Sequence, residues 1–261
     1  MPRWSNLSKV TKNRVQNEKK YYLCSVMPNT FFRFKQFVVY QDRCAMKVGT
    51  DGVLIGAWAS GGRKILDIGA GTGLISIMMA QRFPEAIVDA VEIDEQACEQ
   101  ARENVFLSPF NKRVLVHHTS IQSFVESHVN ERYDAIVSNP PYFENALKNP
   151  DSQRMLARHS DTLPFTDLFC AVARLLDDHG VFSAIIPSES KSRFDEEACM
   201  NGLFAIKEAA IKTTPRKPVK RILIAYSKHP ATVFERTEEV LEISHGVRSE
   251  WYARLTRDFY L

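Results

Sequence analysis

Residues 64–83 read KILDIGAGTGLISIMMAQRF: a short apolar strand pattern, a turn with glycines at 69, 71 and 73, and a helical pattern stopped by Pro84. That order predicts a parallel βα unit, because a buried strand needs neighbours on both sides and the helix must return over the sheet face. The glycines let the backbone turn tightly and let a ligand approach it closely, at the carboxyl edge where open α/β sheets bind. The spacing is G-x-G-x-G with Asp67 ahead of it, not the G-x-G-x-x-G of a dinucleotide fingerprint, and the Lys of a phosphate-binding loop is missing.

Strand and helix patterns then alternate. Residues 88–93 predict a second strand, 95–107 a helix capped by Asp94 and ended by Ser108-Pro109, 114–117 a third strand and 133–138 a fourth. Residues 166–178 predict a helix stopped by Gly180, 181–186 a fifth strand, and 204–211 with 221–227 a closing antiparallel hairpin. The fold class is therefore α/β and Rossmann-like, a parallel sheet with helices on both faces. Upstream, residues 31–40 read as strand, and Asp51-Gly52 reads as a turn before the apolar stretch 53–58, so residues 29–60 predict a hairpin or lid on a single domain covering 29–261. Residues 142–165 show no period and hold Pro150 and Pro164, the mark of a long loop.

Composition narrows the setting. The chain is 44% hydrophobic and 25% charged, and no run of about twenty apolar residues is present to span a bilayer. Five cysteines lack a C-x-x-C pair and any Cys/His ligand spacing, so neither a disulfide framework nor a metal site is expected, and no protein partner is indicated. The polar N-terminus has no secretory core, which points to the cytoplasm. Net charge is only +3, but residues 1–20 hold six Lys/Arg against Glu18. Residues 1–28 thus read as a basic arm, either a solvated tail or a nucleic-acid contact, and Met27 is an alternative natural start.

Glu92 ends the second strand, where a carboxylate can accept both ribose hydroxyls of a nucleoside. Asp94 suits a helix cap, and Asp67 either braces the glycine loop or meets the aminoacyl part of a cofactor. Asn139-Pro140-Pro141-Tyr142 closes the fourth strand. Prolines make that turn rigid and leave its carbonyls outside the sheet ladder. The Asn139 side-chain oxygen and the Pro140 carbonyl can then accept both hydrogens of a planar amine, and Tyr142 offers a face for a flat group to stack on.

D-I-G-A-G-T-G and V-E-I-D resemble the first two motifs of class I S-adenosylmethionine methyltransferases. The resemblance implies S-adenosylmethionine as cofactor, held by Asp67, Gly69, Gly71, Gly73, Glu92 and Asn139. A third motif of that class usually carries an Asp for the cofactor's adenine amine; Ser120 stands there in this chain. N-P-P-Y resembles adenine N6, cytosine N4, guanine N2 and glutamine N5 methyltransferases alike. Residues 32–58, FRFKQFVVYQDRCAMKVGTDGVLIGAW, resemble more narrowly the bacterial tRNA(Val) adenine-37 N6-methyltransferase family, and the likeness extends to YARL at 252–255 and FYL at 259–261. That resemblance implies a tRNA substrate and a segment folded over the cofactor, with Lys47, Thr50 and Asp51 lining the cleft. An rRNA guanine N2-methyltransferase is the alternative, and a protein glutamine methyltransferase a lesser one. Basic candidates for phosphate contact are Arg154, Arg158 and His159 in the long loop, Lys191 and Arg193, and Lys212, Arg216, Lys217, Lys220 and Arg221 near the late hairpin.

Overall fold

The computed structural model describes residues 30–141 and 163–261. Strands β1 (Phe31–Arg33) and β2 (Val38–Tyr40) come first and pair antiparallel, with Phe32 opposite Val39. Helix α1 (Thr50–Trp58) precedes the alternating region of β3 (Lys64–Ile68), α2 (Leu74–Arg82), β4 (Ile87–Glu92), α3 (Glu95–Leu107) and β5 (Val114–His118). Then come α4 (Ile121–Ser127), β6 (Tyr133–Ser138), α5 (Phe165–Leu175), β7 (Leu176–Pro187) and α6 (Lys191–Met200). Strands β8 (Phe204–Lys212), β9 (Val219–Ser227) and β10 (Glu235–Val240) are followed by a small hairpin, β11 (Glu242–Ser244) with β12 (Val247–Arg248), and by α7 (Glu250–Thr256).

One sheet of eight strands runs in the order β10-β8-β9-β7-β6-β3-β4-β5. Strands β7, β6, β3, β4 and β5 are parallel, β9 lies antiparallel between β7 and β8, and β10 joins β8 in parallel. The strands bury both faces, as parallel strands must. Ile65, Val88, Val137 and Leu223 point to the face covered by α1, α2, α3 and α7. Leu66, Val91, Ile136 and Ile224 point to the other, under α4, α5 and α6. On that second face Phe165, Phe169, Phe182, Phe194 and Tyr226 form an aromatic cluster with mostly edge-on contacts, and truncating one of its buried Phe rings to Ala costs about 3–5 kcal/mol.

Where the structure departs from the sequence reading, tertiary packing is the cause. Asp51-Gly52, expected as a turn, is the first turn of α1; residues 52–57 are all buried, so this helix has no polar face for a period to mark. The strand expected across 31–40 is interrupted, with the Phe34 N–H donating to the Phe37 carbonyl in a turn. Helix α5 ends at Leu175 rather than at 178, and the chain passes directly into β7. Gly180, expected as a helix stop, lies inside β7, where the pairing to β6 shifts register; a Cβ there would come within 2.9 Å of the Tyr133 carbonyl oxygen. Among the described residues no helix is long and apolar enough to cross a membrane.

Candidate active site

The site is built at the carboxyl edge of the parallel strands. After β3 the backbone turns through Gly69, Gly71 and Gly73, whose φ values of 75°, 55° and 78° lie in the left-handed region that other residues resist. The Gly69 and Ala70 N–H groups donate to the Val91 carbonyl at 2.9 and 3.1 Å, which fastens the loop to β4. A Cβ on Gly69 would meet no protein atom within 4 Å, whereas one on Gly73 would press on Ala101 of α3 at 3.3 Å. The first glycine leaves room above the loop, and the third lets α2 start against α3.

Three carboxylates lie around this loop. Glu92, at the end of β4, accepts from the Gly71 N–H at 2.7 Å and from the Asp94 N–H at 2.9 Å. Asp94 caps α3, accepting from the Ala97 N–H at 2.7 Å, as its sequence position predicts. Asp67 is fully buried and accepts from the Ser76 hydroxyl, while its Oδ1 has no hydrogen-bond partner. Burial pushes the Asp67 carboxyl up to about 7, against the lowering effect of Ser76.

A cavity of about 450 Å³ opens over the loop. Gly69, Gly71, Lys47, Thr50, Asp51 and Asn139 all line it, together with Arg221 from β9. Asn139 follows β6 directly, and its Nδ2 donates to the Met46 sulfur at 3.9 Å, so the amide stands opposite the segment that precedes α1. The Ser138 hydroxyl donates to the Ile68 carbonyl at 2.8 Å and ties the end of β6 to that of β3. Pro140 is buried behind Asn139.

Other expected residues fall elsewhere. Ser120 is the N-cap of α4, its oxygen accepting from the Ser123 N–H at 3.1 Å. Lys217 is exposed in the turn between β8 and β9, but Arg221 faces the cavity, where its Nε donates to Asp51 at 2.7 Å. Tyr142, Arg154, Arg158 and His159 lie outside the described residues. Cys44 is buried, and burial pushes its thiol up, which suits packing and not nucleophilic use.

Sequence reasoning missed two residues that hold the front wall in place. Asn104 of α3, fully buried, donates to the Tyr40 and Thr72 carbonyls at 2.9 Å and accepts from the Tyr40 N–H at 2.8 Å, joining the β1–β2 hairpin to the glycine loop. Gln100, one turn earlier, accepts from the Arg43 N–H at 3.2 Å. Two amides four residues apart on the buried face of an amphipathic helix were the available signal.

A protein of Phocaeicola vulgatus named tRNA1(Val) (adenine(37)-N6)-methyltransferase is 50% identical over 237 residues, spanning 90% of this chain and 99% of that protein. This chain belongs to that family. A Trichodesmium erythraeum protein of the same name is 47% identical over 234 residues, spanning 88% and 97% of the two chains. Residues 49–173 match the methyltransferase small domain model. Among solved structures, a predicted O-methyltransferase from Agrobacterium tumefaciens superposes with a TM-score of 0.60 at 19% identity, over 80% of this chain and 96% of that one, and so shares the fold.

S-adenosylmethionine, the methyl donor of this fold class, fits the groups present. It joins a nucleoside to a tail bearing an ammonium, a carboxylate and a sulfonium; the groups present beside the cavity are the Glu92 carboxylate at the end of β4, a glycine loop with open space at Gly69, and a buried acid with an unpartnered oxygen in Asp67. An Asp67 carboxylate that received the cofactor's ammonium would make cofactor binding pH-dependent. In the free protein its carboxyl is protonated below about 7. A cationic group bound there would favour the ionised form, and cofactor affinity would then rise as pH rises through about 7. Without ligand the sign reverses: folding raises this pKa above its ordinary value of 3.8, so the group's contribution to stability falls from about pH 4 and the loss is complete above about pH 7. Asp67→Asn should therefore lie closest to wild type in thermal melts at about pH 4 and exceed it at about pH 8 without cofactor, while losing the pH dependence of cofactor affinity in calorimetry. Parallel Tm curves for the two proteins would refute this assignment.

Proposed function

We propose that the chain transfers the methyl group of S-adenosylmethionine to N6 of adenine 37 in tRNA(Val). The observation that carries this reading is near-full-length identity of up to 50% to relatives of that name, and the Asn139 turn beside the glycine loop supports it. The cofactor supplies an electrophilic methyl on sulfur. Asn139 Oδ1 and the Pro140 carbonyl accept the two hydrogens of the adenine amine, so that the nitrogen lone pair points at the methyl group and is withheld from the ring. Tyr142 stacks on the base once it has been turned out of the anticodon loop. Lys47 and Thr50, which line the cavity, would hold the cofactor tail, and Ser120, whose oxygen caps α4, would offer the cofactor's adenine amine only a neutral acceptor, weaker than an Asp.

Residues 29–261 act as one methyltransferase unit in this reading, residues 1–28 as a basic arm, and the cytoplasm, where tRNA is, as the compartment. Arg154, Arg158 and Lys217 form the outer phosphate contacts. Charge reversal at Arg154 and Arg158 is expected to weaken tRNA binding and flatten its salt dependence, more than removal of residues 1–26 does, with cofactor affinity unchanged. Filter binding at several salt concentrations measures this; an unaltered slope and affinity in the loop variant would remove that loop from the RNA surface. The reading as a whole is tested by mass spectrometry of tRNA nucleosides from a strain lacking the gene, with and without its restoration. Loss of N6-methyladenosine from tRNA(Val) supports it, and an intact tRNA profile beside missing N2-methylguanosine in rRNA overturns it.

A further inference from the structure

The edge of the sheet away from the cavity carries a cluster of its own. Strand β7 begins there and β9 ends there, because β7 runs parallel to β6 and β9 antiparallel to β7. The start of β7 is irregular. Strand β6 advances only from Tyr133 to Ala135 while β7 advances from Leu176 to Val181, so residues 177–180 bulge out of the ladder. Gly180 is buried at the base of the bulge, beside the Tyr133 carbonyl, and Asp178 and His179 are exposed on it. In a regular strand two neighbouring side chains point to opposite faces; the bulge brings both of these toward the end of β9.

Strand β9 supplies the third side chain. Carried past the paired residues, the register that sets Phe182 opposite Tyr226 sets His179 opposite His229, and the two ring centroids are 5.7 Å apart. His229 Nε2 lies 3.1 Å from Asp178 Oδ2. One ligand atom from each of Asp178, His179 and His229 lies within 4.8 Å of the other two. Two donors held roughly 2.0–2.1 Å from one ion, at right or tetrahedral angles, stand roughly 2.9–3.4 Å apart. The Asp178–His229 pair therefore already has the spacing of two ligands, and a turn of the exposed His179 ring closes the remainder.

The backbone around the three is fastened. The His179 N–H donates to Asp177 Oδ1 at 3.1 Å, the Ser227 hydroxyl donates to the His229 carbonyl, and the Lys228 ammonium donates to the Leu176 carbonyl at 2.8 Å, tying the end of β9 to the start of the bulge. The hydrogen bond with His229 holds the Asp178 carboxyl below the usual carboxylate range, which keeps it an anionic donor. Asp178 and His229 are 51 residues apart, so no ligand spacing in the sequence announces the group.

We propose that Asp178, His179 and His229 bind one divalent ion of the zinc, nickel or copper class, which clips the β7 bulge to the end of β9. Two imidazoles and one carboxylate select that class over calcium and magnesium, which take oxygen ligands. Water completes the coordination. The ion replaces the proton between His229 Nε2 and Asp178 Oδ2, and that proton passes to the other ring nitrogen or to solvent. Standing at the edge opposite the glycine loop and Asn139, the ion holds the sheet together and takes no part in methyl transfer.

The test uses the full chain, free of any histidine tag and stripped of metal, titrated with Zn2+ in calorimetry and with Co2+ in visible absorption. One ion per chain is expected, with micromolar or tighter affinity and Co2+ d–d bands that Zn2+ abolishes. Zn2+ at about a hundredfold over Kd should raise the melting temperature by roughly 5–10 °C. His179→Ala and His229→Ala, each at an exposed position, should melt near wild type without metal. Each should weaken binding by roughly tenfold or more, and Asp178→Asn should do so with the side-chain shape kept. Absence of saturable Zn2+ binding, or binding that both His variants leave unchanged, overturns the proposal. A bound ion that leaves the melting temperature unmoved is held equally well by the unfolded chain, and that result overturns the clip.

Discussion

Asn139→Ala should slow methyl transfer by roughly a hundredfold or more, the usual consequence of removing one positioned polar group from a transition state. The reason lies in where the amide stands. It follows the last residue of β6, its neighbour Ser138 is tied to the Ile68 carbonyl at 2.8 Å, and Pro140 after it is buried, so the backbone that carries the side chain is fixed at the end of the sheet. In the proposed reaction the acceptor oxygen acts on the substrate amine, while the carboxylates that suit the cofactor lie in β3 and at the end of β4. Cofactor affinity by calorimetry should therefore hold within about twofold while single-turnover rate collapses, the pattern of an interaction made only as the reaction proceeds. Normal single-turnover rate in the variant would exclude Asn139 from the chemistry.

Glu92→Ala is expected to do the reverse. Glu92 accepts the Gly71 and Asp94 N–H groups, and its place at the strand end suits a ribose. Losing a charged hydrogen-bonding group of this kind raises the cofactor KM about ten- to hundredfold. Ribose contacts differ little between ground and transition states, so the rate at saturating cofactor should change far less. Glu92→Gln keeps an acceptor for the Gly71 N–H and separates loop bracing from ribose binding: a cofactor KM near wild type in the Glu92→Gln variant would mean that the brace is what matters. An unchanged KM in the Ala variant would instead leave the ribose to Asp94.

Much of this site was legible because its chemistry sits on elements whose burial marks them. Strands β3, β4 and β6 are nearly continuous apolar runs, and the glycine loop, Glu92 and Asn139 lie at their ends, so finding the strands located the residues. Helix α3 was legible through Asp94 and Ser108-Pro109. Helix α1 was not, since a helix buried all round carries no period and begins with Asp51-Gly52, a pair that also favours turns. Strand β10 reads ERTEEV and is mostly exposed, so neither alternation nor apolarity announces it. Helix α4 has only seven residues. The far wall of the cavity was invisible for a different reason: Ile211, Thr213, Arg221 and Leu241 meet Met46 and Asn139 only through the order of strands in the sheet. Arg221 looked like one more basic residue near the late hairpin until pairing with Asp51 placed it inside.

The β1–β2 hairpin has a partner far along the chain. Lys35 donates its backbone N–H to the Phe259 carbonyl at 2.8 Å and its ammonium to the Arg257 carbonyl at 2.6 Å, 222 residues away, and Phe34 stacks on Tyr260. A two-stranded hairpin alone is barely stable in water. During synthesis, then, Phe31–Tyr40 meets Asn104 of α3 before the last strands of the sheet are made, but Arg257, Phe259 and Tyr260, the rest of the surface it packs on, are translated after every strand of the central sheet. The segment 46–51 that fronts the cavity hangs directly from that hairpin. A nascent chain can thus complete its glycine loop and its Asn139 turn before Phe259 and Tyr260 have joined the packing behind the hairpin that carries the mouth of the cavity.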